Sequence, residues 1–307
     1  MKGPGRLAIA GIFALLTLIW GTTWAAIRIG LTGIPPFTGV ALRFLVAAAV
    51  LFLLSPALGV RYGWSAVERR LWLINGLLSF CVSYGVVYWS EQWVPSGLAS
   101  VLFATFPLFV AMLAHFALPA ERLTAKAVVG ILTGFGGVAV IFSEDFSRLG
   151  GPRVALASLV MLVSPFVSAV ASVTIKKWGR DIHPVSISAV PMAMSAVVMG
   201  GVALAVERDR PLRFDAVSVS AMLYLALAGS ALTFTLYYWL MRHIPATRLS
   251  LIAYSTPVVA VAVGALFMNE PVTARTFAGS ALVVLGVALA VHARHPGGAP
   301  PALDVEP

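Results

Sequence analysis

Cysteine is almost missing from this chain: Cys81 is the single one in 307 residues. It has no intrachain disulfide partner, and no Cys/His group has metal-ligand spacing, so a disulfide scaffold and a bound metal are both excluded. Charge is scarce too, at 11% of residues, where soluble domains carry roughly 25%. The twelve acidic residues and five histidines fall at predicted span ends, in loops or in the tail. No proton relay therefore runs through the apolar segments, and transport down the substrate's own gradient is the expectation. No phosphate-binding glycine loop, Ser-His-Asp set or nucleotide motif occurs. No cofactor is expected, and any use of ATP needs a separate subunit. The net charge of +9 suggests nucleic acid, but there is no basic stripe or binding motif. The cations sit at helix ends, where membrane orientation accounts for them.

Apolar sequence is what the chain has in excess. It is 60% hydrophobic with mean hydropathy +0.94, and runs of about 20 apolar residues, each enough to cross a bilayer, recur along it. Ten spans are predicted: 7–29, 36–56, 70–91, 95–117, 124–143, 151–176, 184–206, 216–241, 246–268 and 273–293. The first continues to Ile29 and reads as an uncleaved helix, not a signal peptide. The Pro/Gly-rich segment after His292 reads as a disordered tail. With the N-terminus inside, thirteen Lys and Arg face the cytoplasm and seven the other side, with Arg43 within a span. Both termini are expected in the cytoplasm of a cell that holds the chain in its inner (plasma) membrane.

The chain also repeats itself. Tyr88-Trp89, Pro95, Ser100 and Pro107 recur 150 positions later as Tyr238-Trp239, Pro245, Ser250 and Pro257. Glu121, Thr124-Ala125, Gly130 and Gly137-Val138-Ala139 recur 149 later as Glu270, Thr273-Ala274, Gly279 and Gly286-Val287-Ala288. Five spans per half is odd, so the second half enters the membrane from the opposite face. The expected fold is an all-α integral membrane protein of ten transmembrane helices in two inverted five-helix repeats, 1–146 and 147–293, with a disordered tail at 294–307. Inverted repeats place a site between the halves.

These residues resemble a known family. Trp20-Gly21-Thr22-Thr23, Pro35-Pro36 with Ala41-Leu42-Arg43-Phe44, Val94-Pro95-Ser96-Gly97, Phe106-Pro107-Leu108-Phe109, and Tyr254-Ser255-Thr256-Pro257-Val258 with Asn269-Glu270-Pro271 are similar to motifs of EamA-type members of the drug/metabolite transporter superfamily. The likeness covers residues 7–293. It implies ten helices, a central pocket, and export of amino acids or other small metabolites. The sixth span departs from it, with Ser164-Pro165-Phe166 where the family often keeps a Trp-rich segment.

Deep polar and aromatic residues are the candidate substrate contacts: Trp20, Thr23, Trp24, Tyr84, Tyr88, Phe103, Phe106, Tyr238 and Tyr254. Tryptophan and tyrosine also line membrane interfaces. Gly21 and Pro165 are candidate helix breaks that expose backbone groups to substrate, or they allow tight helix packing; the matching Pro107 and Pro257 are candidate bends or gates. Arg28, Arg43 and Glu91 are expected beneath the outer mouth, as a static ion pair or triad, a gate, or a carboxylate clamp. The leading function is secondary transport of a small metabolite, amino acids or related compounds first, by alternating access. Efflux of cationic or lipophilic drugs is second. A membrane-embedded enzyme on a lipid-linked substrate is the reading from another class. The expected partners are the small-molecule substrate and the lipid bilayer, with no nucleic acid and no obligatory protein partner.

Overall fold

The computed structural model describes residues 5–119, 121, 124–143, 151–270 and 272–292. The expected tail at 294–307 and the 146/147 boundary lie outside them. Among the described residues all regular structure is helical. We label the helices α1 (Arg6–Gly30), α2 (Pro36–Leu54), α3 (Ala66–Ser90), α4 (Ser96–Ala117), α5 (Ala125–Phe142), α6 (Pro152–Trp178), α7 (Ser186–Val206), α8 (Ala216–His243), α9 (Ala246–Leu249 then Leu251–Phe267) and α10 (Ala274–His292).

Seven of these, α1 to α4 and α6 to α8, are long and apolar enough to cross a membrane. Shorter apolar stretches lie in α5, α9 and α10. Proline starts several helices: Pro36 and Pro152 sit in first turns, and Pro95 and Pro245 precede α4 and α9. Proline is tolerated there because the first N–H groups have no intrahelical partner. Ser65 and Asp215, 150 apart, cap α3 and α8 through their side chains. The Ser65 cap carries α3 back to Ala66, ahead of the expected start at 70.

Two deviations were not expected. Asn75–Ser83 within α3 and Leu227–Leu232 within α8 are π-helical. They occupy matching places at the 150-residue offset. π segments widen a helix locally and recur at functional sites.

The prolines explain the helix interruptions more closely than sequence position did. A proline at position i leaves the carbonyl of residue i−4 without its N–H partner. The first segment of α4 ends at Phe103 and that of α6 at Met161, four residues before Pro107 and Pro165. Pro257 differs. It lies inside a continuous segment, where the Thr256 hydroxyl donates to the freed Ala253 carbonyl at 3.1 Å; the α9 interruption falls earlier, at Ser250. Gly21 corrects the expectation of a break, because α1 runs through it unbroken. Its hydrogen faces α9, where a Cβ would lie 2.5 Å from Val259 Cβ. Gly21 sets helix spacing.

The molecule's outer faces are apolar. Leu7, Phe116, Val197, Leu204 and Phe277 are each at least 70% exposed. So many large apolar side chains left exposed do not suit a water-exposed monomer and suit lipid.

Candidate functional site

A cavity lies among the helices, lined from both parts of the chain. From the first come Trp20, Thr23, Trp24, Ile27, Ser79, Ser83, Tyr84, Val87, Phe103 and Phe106. From the second come Ser168, Ser172, Phe234, Tyr237, Tyr238, Leu249, Ser250, Ile252, Ala253 and Thr256. Of these lining residues, none is charged.

Aromatic rings frame the cavity. Trp20 packs at 5.4 Å from both Phe234 and Tyr237, Trp24 at 5.5 Å from Phe103, and Phe103 stacks on Phe106 at 5.7 Å. The Trp20 indole N–H has no hydrogen-bond partner. A buried unsatisfied donor is uncommon and marks a place for an acceptor. Hydroxyls lie among the rings. Ser83 meets Ser164 at 2.7 Å and accepts from Ser168 at 2.8 Å; Ser172 lies 3.3 Å from the Tyr237 hydroxyl. Positions that match across the repeat differ in kind: Tyr84 is answered by Phe234, and Phe103 and Phe106 by Ala253 and Thr256.

Of the expected contacts, Trp20, Thr23, Trp24, Tyr84, Phe103, Phe106 and Tyr238 lie on this cavity. Tyr88 does not. Its ring packs against Gly39 of α2, and its hydroxyl accepts from Arg43 Nη1 at 3.4 Å. The side chain of Tyr254 lies outside the described residues.

The expected Arg28–Arg43–Glu91 cluster does not form as an ion pair. Arg43 is fully buried away from the cavity. It donates to Ser230 Oγ at 2.7 Å and Gly229 O at 2.9 Å, both in the π segment of α8, and lies 4.6 Å over the Tyr84 ring. Arg28 Nε pairs with Glu270 at 3.5 Å. Glu91 is buried with neither carboxyl oxygen hydrogen-bonded.

Asn75 was missed. It is buried at the start of the α3 π segment, accepts from the Tyr238 hydroxyl at 2.9 Å and donates to Ile187 O at 2.8 Å. That carbonyl is the one freed by Pro191 inside α7. An amide within an apolar span was the signal.

Two polar clusters flank the cavity, and their backbone contacts match position for position. In one, Arg28 Nη1 donates to the carbonyls of Glu91 (3.3 Å) and Val94 (2.9 Å). Glu270 accepts from Ser96 N, Ser96 Oγ and Gly97 N at 2.8–3.0 Å, capping α4. In the other, Lys176 Nζ donates to Met241 O (2.6 Å) and Ile244 O (2.8 Å). Glu121 accepts from Ala246 N and Thr247 N at 3.1 Å, capping α9. The carbonyls and capped amides are 150 apart, the carboxylates 149, and the cations 148. Carboxylates at helix N-termini are favourable by about 0.3–1 kcal/mol each near a surface. The Arg28/Lys176 match was also missed; Ile27-Arg28 against Ile175-Lys176 was its signal.

Residues 8–143 and 155–292 each match the EamA-like transporter family. The chain belongs to that family, within the drug/metabolite transporter superfamily, and is a multi-pass membrane transporter. It is similar to the uncharacterized transporter YoaV of Bacillus subtilis, at 27% identity over 89% of this chain and 92% of that one. It shares 31% identity with the uncharacterized inner membrane transporter YedA of Escherichia coli, over 94% and 92%. A probable amino-acid metabolite efflux pump of the same species is 25% identical over 90% and 93%. A solved crystal structure, 21% identical, superposes with a TM-score of 0.69 over 93% of this chain and 98% of its own, which shows a shared fold.

Proposed function

We propose that the chain exports or exchanges an uncharged or zwitterionic small metabolite, amino acids and their relatives first, by alternating access. The observation that carries this is the cavity, formed by both parts of a duplicated transporter chain and lined by rings and hydroxyls without a charged side chain. Aromatic walls with a few placed polar groups are the usual make-up of a small-molecule site. The similarity to an amino-acid metabolite efflux pump supports the substrate class. Drug efflux is the weaker reading, since a cationic compound calls for a carboxylate and none lines the cavity.

Ten spans, halves of inverted topology and both termini in the cytoplasm complete the proposal. The five-helix spacing of the duplication and the Lys/Arg excess support it. In that orientation the Arg28/Glu270 cluster lies at the outer end of the cavity and the Lys176/Glu121 cluster at the inner end. Each ties a helix of one half to the other half. We assign them as the outer and inner gates, parted alternately. Single cysteines at positions 62 and 146, in a Cys81→Ala background, should label from opposite sides of the membrane. Labelling of both from one side contradicts the inverted arrangement.

Counterflow in proteoliposomes, with labelled amino acids, sugars and cationic dyes, tests the substrate class. Uptake of amino acids alone supports the proposal; uptake of dyes alone defeats it. With the substrate found, Trp20→Ala and Tyr84→Ala should each cut transport at least about tenfold, the loss of roughly one aromatic contact to substrate, while membrane expression holds. Parent-like transport by both variants rules out this cavity as the site.

A further inference from the structure

The two flanking clusters share their carbonyl and backbone-amide contacts but not all their side chains: the Ser96 hydroxyl contact and the Arg28–Glu270 pair belong to the first, and the residue beside the cation differs as well. The carbonyl that accepts from Arg28 belongs to Glu91; its counterpart belongs to Met241. Glu91 directly follows the last residue of α3. It is 1% exposed, and neither carboxyl oxygen has a hydrogen-bond partner. A buried carboxylate without donors is costly by several kcal/mol, so this acid has no visible reason to be charged here.

Its neighbours decide the matter. Arg28 from α1 is committed to Glu270 and two carbonyls. Arg43 from α2 is committed to Ser230, Gly229 and Tyr88. The Glu270 carboxylate, after α9, opposes a second negative charge. Tyr88, on the same helix, is spent on Arg43. Arg153, the titratable group of the first segment of α6, which packs on this end of α3, is exposed. Both cations attract a charged Glu91 from a distance, yet neither gives it a hydrogen bond.

We propose that Glu91 is a proton-binding switch on the outer gate: it holds a proton while Arg28, Glu270 and the α4 N-terminus are engaged, and releases it when they part. This rests on reading the two clusters as gates. When Glu270 leaves Arg28, the guanidinium is freed beside Glu91 and water enters, and both favour the carboxylate. The proton departs to the outer solution, and Arg28 exchanges one carboxylate for another. The closed gate binds one proton more than the open gate, so lowering the outer pH favours closure. Met241 cannot titrate, so the inner gate lacks this control. Because Glu91 meets solution only on the outer side, its proton sets the gate without crossing with substrate. Net transport still follows the substrate gradient.

The test uses Ile27→Cys, on the cavity wall, in a Cys81→Ala background, labelled from outside with a membrane-impermeant thiol reagent between pH 5 and 8. Thiol reactivity itself varies with pH, so labelling is compared at each pH with the same cysteine in Glu91→Gln. Relative to that reference, parent labelling should fall as the pH drops, by up to about tenfold per pH unit for one proton. Glu91→Met, which copies position 241, provides the reference if the glutamine variant does not fold. A parent profile parallel to that of the reference overturns the switch. Glu270→Gln separates the two proposals, since loosening the cap should raise labelling at every pH. No rise means that the gate assignment fails. A rise together with parallel profiles means that only the proton switch fails.

Discussion

Gly286→Val should abolish recovery of a folded, monodisperse protein, while Gly136→Ala should behave like the parent. The reason is the contact between α5 and α10. A Cβ on Gly286 would collide with the Gly134 backbone N and sit 2.5 Å from Gly130 O. Gly137 and Gly279 meet the same way, with a Gly137 Cβ 2.6 Å from Gly279 O and a Gly279 Cβ 2.7 Å from Gly137 O. These neighbours are backbone atoms, which cannot rotate aside. Overpacking a tight contact costs about 1–3 kcal/mol, and more when nothing yields. In a membrane this pair has little hydrophobic drive to spare, because lipid tails compete equally for apolar faces; close backbone approach supplies the attraction instead. Gly136, one residue from Gly137, points into open space and serves as the control. Size-exclusion profiles and thermal midpoints in detergent read the outcome. A Gly286→Val protein as stable as the parent shows that the helices are farther apart than described.

Those glycines show what could be read from sequence and what could not. Gly130/Gly279 and Gly137/Gly286 stand out as duplicated residues, and so do Glu121 and Glu270. Duplication reveals shared descent, but it does not say what touches what. The partners of Glu121 and Glu270 lie 125 and 174 residues away, beyond any local pattern. The cavity residues Trp20, Trp24, Tyr84, Phe103, Phe106 and Tyr238 could be picked out because they are large, polar-edged or aromatic, and deep within long apolar spans.

The errors cluster around α3. Tyr84 and Tyr88 are four residues apart, which puts them on neighbouring positions of one helix, yet only Tyr84 reaches the cavity. Tyr88 turns instead toward α2, where its ring packs on Gly39 and its hydroxyl accepts from Arg43, and no composition signal announces those partners. The same holds for Arg43. Depth and charge could be read, but its true partners are a serine and a carbonyl exposed by the π segment of α8. A search for carboxylates overlooks both.

Arg43 therefore carries the second large effect. Arg43→Met and Arg43→Lys should both lower stability markedly, and the folded fraction should bind substrate with parent-like affinity. Arg43 is fully buried, and its fork spans two adjacent groups of α8, Ser230 Oγ through Nε and Gly229 O through Nη2. Lysine carries the charge as a single point and cannot copy that fork. Methionine removes the charge but leaves the Gly229 carbonyl without its donor, at about 1–3 kcal/mol for a buried polar group. It also removes the guanidinium from the Tyr84 face, worth about 2 kcal/mol when desolvated. A clamp for a substrate carboxylate predicts the reverse pattern: unchanged stability, weaker binding, and partial rescue by lysine. Thermal midpoints, with substrate affinity measured per folded molecule, separate the two. Weakened affinity at parent stability would move Arg43 from strut to binding site, and would open the cavity description to revision on the α2 side.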